Sequence, residues 1–240
     1  MIPAGQIFVI GDSHIGLSDG SEKPILTWLD RFATLRPRAL YLNGDLFHYL
    51  IADAKFYTPT VEKVFARFRE LRDGGVGVHY VEGNRDFFLA GSFAEAAVSD
   101  VAVEYAIEAG PRKYLIVHGD MINDRDYPYR FWRFASKNAV SRLGLKLVPR
   151  RAARSFVDSV ERRLSRTNFK HKSQLPIAHF ERYGLQRAND GFTDIVFGHF
   201  HQKLVLPTAG ARVMILPPWY ERGEALAIDA GSGEFSFVEI

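Results

Sequence analysis

Five short blocks, each directly after an apolar run, restrict what this chain can fold into. They are Gly11-Asp12-Ser13-His14, Gly44-Asp45, Gly83-Asn84-Arg85-Asp86, His118-Gly119-Asp120 and Gly198-His199-Phe200-His201. The preceding runs, Ile7 to Ile10, Ala39 to Leu42, Val78 to Val81, Tyr114 to Val117 and Ile195 to Phe197, read as buried strands. Loops that leave the carboxyl ends of strands in an α/β sheet converge on one crevice. Asp12, His14, Asp45, Asn84, His118, His199 and His201 are therefore expected to meet there, although they are scattered along most of the chain.

Between these blocks the pattern is that of strand alternating with helix. Ile25 to Leu35 precedes the second strand, and Val61, Val64, Phe65, Phe68 and Leu71 recur at helical spacing before the third. Asp100 to Ile107 and Arg112 to His118 flank Gly110-Pro111 and predict a hairpin. After Asp194 only strands and turns are expected, through Val205, Val213 to Leu216, Ala225 to Ile228 and Phe235 to Ile240, with the chain's end supplying a second sheet. The predicted fold is an α/β (α+β) sandwich, two packed mixed β-sheets flanked by helices, in one domain over 1–240.

Charge is distributed unevenly around this core. Arg125 to Lys172 carries 14 Lys and Arg against Asp126, Asp158 and Glu161, within a chain whose formal net charge is only +3. Phe156, Val160 and Leu164 recur every four residues there, with Arg154, Arg162, Arg163 and Arg166 on other faces. Pro149 and Pro176 bound helices in this region. The pattern predicts a basic helical insertion, a lid, over 126–185. The apolar stripe Phe131, Trp132 and Phe134 reads first as core packing and second as lid surface. Basic charge also accompanies nucleic-acid binding, but aromatics are sparse after Phe134, which disfavours that partner. No run is long enough to span a bilayer, and Met1 to Gly11 lacks a basic leader, so a cytoplasmic location is expected. With no cysteine, any metal must be held by imidazole, carboxylate and amide.

Taken singly, each block is weak evidence, since a strand-end histidine such as His118 is commonly structural. The ordered set of Asp-x-His, Gly-Asp, Gly-Asn-x-Asp, strand-end His and Gly-His-x-His resembles the calcineurin-like metallophosphoesterases. That resemblance implies two divalent ions, one held by Asp12, His14, Asp45 and His201, the other by Asp45, Asn84, His118 and His199. Asp45 would bridge them. Two ions about 3.5 to 4 Å apart can share a carboxylate and stabilise an in-line displacement at phosphorus. The nitrogen and oxygen donors suit Mn, Fe, Zn or Co over Ca without choosing among the four, and Mn is the leading expectation. Asp86 and Asp120 are read as orienting the ligand loops, and Asp45, Asn84 and Arg85 as the catalytic set.

Arg85 narrows the substrate. Many members of the superfamily carry a proton-donating histidine after the asparagine, whereas a guanidinium keeps its proton. A phosphate leaving from a diphosphate needs no such donor. The alternative for Arg85 is that it braces Asp86 or Asp45. Gly44-Asp45-Leu46-Phe47, Gly83-Asn84-Arg85-Asp86-Phe87 and His118-Gly119-Asp120 with Asp126, Tyr129 and Arg130 resemble the UDP-2,3-diacylglucosamine diphosphatase family of lipid A synthesis. The resemblance implies cleavage of an acylated sugar nucleotide to UMP and the lipid 1-phosphate, at or near the inner membrane surface. It implies substrate contacts at Asn84, Arg85, Asp126, Tyr129, Arg166, Asn168, Lys170 and Lys172. His48 stands where an acid is expected. Two other readings are a phosphoesterase acting on nucleotides, cyclic nucleotides or phosphoproteins, and a metal-free scaffold. His79 reads as a hydrogen-bonded structural residue, and His171 and His179 as solvated.

Overall fold

The computed structural model describes residues 5–16, 20–153, 155, 159 and 175–240. The first sheet is built from β1 (Gln6–Ile10), β2 (Ala39–Asn43), β4 (Gly77–Val81), β6 (Asp100–Ala102), β12 (Glu224–Asp229) and β13 (Phe235–Glu239), in the order β13-β12-β1-β2-β4-β6. Within it β1, β2, β4 and β6 are parallel, β12 runs antiparallel beside β1, and β13 runs antiparallel beside β12. The second sheet has the order β10-β11-β9-β8-β7, from β7 (Glu104–Ala109), β8 (Arg112–Val117), β9 (Asp194–Phe197), β10 (Leu204–Leu206) and β11 (Arg212–Ile215). A small parallel pair, β3 (Leu50–Ile51) and β5 (Asp86–Phe87), lies outside both.

Alternation along the strands explains the layering, because successive side chains point to opposite faces. In β1, Phe8 and Ile10 pack with Trp28, Leu29 and Phe32 of α1 (Glu22–Thr34) and with Val64, Phe65 and Phe68 of α2 (Pro59–Asp73). Ile7 and Val9 face the other way, into an inter-sheet core with Tyr114, Ile116, Val196 and Met214. Leu115, Ile195 and Phe197 on the far side of the second sheet pack with Phe180 of α6 (Ile177–Asn189). The order of layers is helix, sheet, sheet, helix. α2 starts cleanly because the Thr58 hydroxyl accepts from Val61 N and Pro59 fixes the first turn.

Three expectations need correction. Asp100 to Ile107 is two strands, since β6 pairs with β4 in one sheet and β7 with β8 in the other. The break falls at exposed Val103. The chain's end divides likewise: β10 and β11 extend the second sheet, whereas β12 and β13 complete the first. A short helix, α7 (Trp219–Arg222), also interrupts what reads as strand and turn only.

Between β8 and β9 lie α4 (Tyr127–Ser136) and α5 (Ala139–Leu147), followed by α6, with the short α3 (Phe93–Ala97) earlier in the chain. Phe131, Trp132 and Phe134 are 72, 58 and 73 % exposed, which overturns their reading as core. Val140, Leu143 and Leu147 of α5 are exposed too. The α4–α5 segment is nonetheless anchored: Lys137 Nζ donates to Glu82 Oε1 at 2.7 Å and to Gly83 O at 2.6 Å, and Lys55 Nζ to Val148 O at 3.1 Å. Phe156, Val160, Leu164, Arg154, Arg162, Arg163, Arg166, Asn168, Lys170, His171 and Lys172 lie outside the described residues.

Candidate metal centre

The five blocks meet where β1, β2, β4, β8 and β9 end, bound to one another by hydrogen bonds. Asp12 N and His14 N donate to Gly44 O and Asp45 O, both at 3.1 Å, so the first two loops continue the β1–β2 ladder. Asp86 Oδ2 accepts from Asp45 N at 3.0 Å and Gly83 N at 2.9 Å, while Tyr80 donates to Oδ1 at 3.1 Å. Asp12 Oδ2 accepts from His199 N at 2.7 Å. Asn43, which the sequence reading passed over, ties the two sheets together: its Nδ2 donates to Val117 O at 3.2 Å, and its carbonyl lies 2.9 Å from His118 Nδ1. The available signal was a polar residue closing an otherwise apolar strand.

Two groups of donors result. Ligand atoms of Asp12, His14 and His201 lie within 4.8 Å of one another, and so do those of Asp45, His118 and His199. Asn84 Oδ1 sits 3.0 Å from His118 Nε2 and 2.9 Å from His199 Nδ1. His14 Nε2 lies 3.1 Å from His201 Nε2, which is 3.1 Å from Asp12 Oδ1. When His118 Nδ1–H donates to Asn43 O, Nε2 is left with a lone pair aimed at the amide oxygen. A cation bound between them would satisfy both lone pairs. Asp12, His14, Asp45 and His118 are all buried, and His14 Nδ1 has no hydrogen-bond partner among the described residues.

Backbone conformation carries the same message. Asp12, His14, Asp45, His199 and His201 have φ of 52°, 44°, 51°, 66° and 54°. A left-handed conformation costs a non-glycine residue on the order of 1–3 kcal/mol and persists where surrounding structure enforces it. Outside the five blocks, only Arg36 and Phe88 share it among the described non-glycine residues.

Electrostatics prepare the donors. Burial drives His14 down to about 3, reinforced by Arg85 and His201 and opposed by Asp45 and Asp12. His199 falls to about 4, again through burial and then His118. Both imidazoles are thus neutral near pH 7, with lone pairs available. Burial alone would raise Asp12, but its hydrogen bond to His201 and the charges of His201, His118 and His14 hold it below the carboxylate range. Burial and the neighbouring Asp45 push Asp86 up to about 7. Asp45 and Asp86, buried side by side, add a mutual repulsion that bound cations would relieve.

Arg85 is 6 % exposed; its Nη1 donates to His48 O at 2.9 Å and lies 3.3 Å from His48 Nδ1. Its Nε lies 3.5 Å from Asp45 Oδ2, and its backbone N donates to Asp45 Oδ1 at 2.8 Å. The guanidinium therefore braces Asp45, and His48, buried beside it, helps orient that brace. Asp120 receives the hydroxyl of Tyr129 and the guanidinium of Arg133, so α4 is fixed to the His118 loop. Asp126 caps α4 by accepting from Tyr129 N at 3.1 Å. His79 bonds Asp100 at 2.7 Å, away from the site, and His179 contacts Arg182.

The pattern of the calcineurin-like phosphoesterases matches residues 5–203. The chain belongs to that family. A UDP-2,3-diacylglucosamine hydrolase of Pseudomonas putida is 33 % identical over 93 % of this chain and 95 % of its own. One of Yersinia pseudotuberculosis is 28 % identical over 94 % and 95 %. A dimetal phosphatase from Danio rerio shares the fold at TM-score 0.51 and 16 % identity, covering 99 % of both chains. A hypothetical protein of Pyrococcus horikoshii does so at TM-score 0.52 and 10 % identity, covering 98 % of this chain and 87 % of its own. With this membership the chain is a metal-dependent phosphoester hydrolase.

Proposed function

We propose that the protein hydrolyses the diphosphate of UDP-2,3-diacylglucosamine, giving UMP and 2,3-diacylglucosamine 1-phosphate. The observation that carries this reading is the pair of three-donor groups with a buried arginine in the proton-donor position, in a chain whose relatives of nearly equal length are named for that substrate. Asp12, His14 and His201 would hold one divalent ion; Asn84, His118 and His199 the other; and Asp45 would contact both. Such a pair, Mn foremost, supplies Lewis-acid charge to phosphoryl oxygens and makes water nucleophilic at neutral pH.

The remaining work falls to the protein's own groups. Arg85 keeps Asp45 oriented and adds a fixed positive charge beside the phosphates. It releases no proton, so the departing group must leave as an anion, as a sugar 1-phosphate does. Asp86 and Asp120 hold the Asn84 and His118 loops, and Asp126 and Tyr129 set the helix that borders them. Arg166, Asn168, Lys170 and Lys172 complete the proposed substrate contacts. Hydrolysis in oxygen-18 water tests the assignment: the label is expected in UMP. Recovery of the label in the lipid phosphate, or no UMP at all, removes it.

The α4–α5 face fits the amphiphilic substrate. Exposed Phe131, Trp132, Phe134, Val140, Leu143 and Leu147 stand among exposed Arg130, Lys146, Arg150 and Arg151. Apolar side chains ringed by cations suit the acyl and headgroup boundary of an anionic membrane, with 126–185 acting as a lid over the site. Among the described residues, no helix is long and apolar enough to cross a membrane. Changing Phe131, Trp132 and Phe134 together to serine is expected to lower binding to anionic-lipid vesicles by roughly tenfold or more. The melting temperature should hardly move, because these side chains are exposed; unchanged vesicle binding would remove this face as the membrane contact.

A further inference from the structure

Tyr220 lies on α7, beside the donors of the first group. Its hydroxyl is 3.4 Å from His201 Nδ1, and its ring centroid lies 5.8 Å from that of His14 and 5.9 Å from that of His201. The segment is pinned in place, since Trp219 N donates to Gly11 O at 3.1 Å and buried Trp219 packs edge-on against Trp28. Tyr220 itself is 46 % exposed, so its hydroxyl hydrogen can point to solvent while its oxygen accepts.

We infer that Tyr220 is the positioning residue of His201, accepting a hydrogen bond from Nδ1–H so that the Nε2 lone pair stays directed at Asp12 and His14. This rests on the metal-centre reading above and adds to it a residue that no strand-end block contains. For Nε2 to offer a lone pair, the ring proton must sit on Nδ1, and a partner there fixes both the tautomer and the ring angle. The two groups differ in this respect. His118 receives its outer contact from a backbone carbonyl, Asn43 O, which substitution cannot delete. Among the described residues His14 Nδ1 has no hydrogen-bond partner, and Tyr220 gives the first group an outer contact from a side chain that can be exchanged.

Tyr220→Phe keeps the ring and removes only the acceptor. Protein stripped of metal by a chelator would be titrated with Mn(II), followed by calorimetry and electron paramagnetic resonance. Two ions are expected to bind the wild type. In the variant one affinity should drop about tenfold, the low end for loss of an outer partner, while the other holds. Equal metal-free melting temperatures would show that the fold is intact. Two unchanged affinities, or two that fall together, would overturn the role of Tyr220 and leave the metal centre standing. No Mn uptake by the wild type would sink both.

Discussion

Asp45→Asn is expected to lower kcat/KM by roughly three orders of magnitude or more, about 4 kcal/mol of lost transition-state stabilisation. The substitution preserves shape and replaces a charged oxygen with an amide. Asp45 is 2 % exposed, 3.6 Å from His118 Nε2, bonded to the backbone N of Arg85 and beside its side chain. It is thus the one carboxylate that the proposal assigns to both ions. Steady-state rates across a Mn(II) series, with metal content measured on the same samples, check the expectation. If the variant kept its rate within about tenfold, Asp45 could not hold that central place.

Gly44→Ala acts on the same point through space. At φ +76°, a Cβ on residue 44 would lie 2.7 Å from Gly83 Cα and closer still to His118 Nδ1. Gly83 and the His118 ring cannot both retreat, because each belongs to a loop that the donors require. The expected cost is about 3 kcal/mol, from left-handed backbone strain and overpacking together. For a domain of this size that lowers the melting temperature by roughly 6–12 °C. Activity should fall further than stability explains, since His118 is displaced. Thermal denaturation beside assays of the folded fraction separates the two effects; a variant with wild-type melting and wild-type rate would show that the loops yield more readily than their packing indicates.

What the sequence made legible was local. An apolar run followed by glycine and a donor marks four of the five strand ends, His118 following its run directly, and hydrogen bonds join the five blocks there. The division of strands between two sheets was less visible, because the apolar pattern of Asp100 to Ile107 is the same whether it pairs with β4 or β8. Only the break at Val103 decides it. The Phe131, Trp132 and Phe134 stripe shows that helical periodicity identifies an apolar side without saying what covers it. Asn43 left only a faint mark, a polar residue closing an apolar strand, and Tyr220 left none, because the histidine that each one meets is brought to it by the fold.

The order β11-β9-β8 has a consequence for how such a protein can be altered. β8 and β9 are adjacent parallel strands, and parallel neighbours need a crossover element. α6 supplies it, with Phe180 packed on the second sheet. The helices α4 and α5, which lie in the chain between β8 and α6, add to that crossover rather than replace it. Tyr129, Arg133 and Lys137 in that stretch hold the His118 and Gly83 loops, so exchanging this piece of chain would alter the donor loops together with the surface that the helices present.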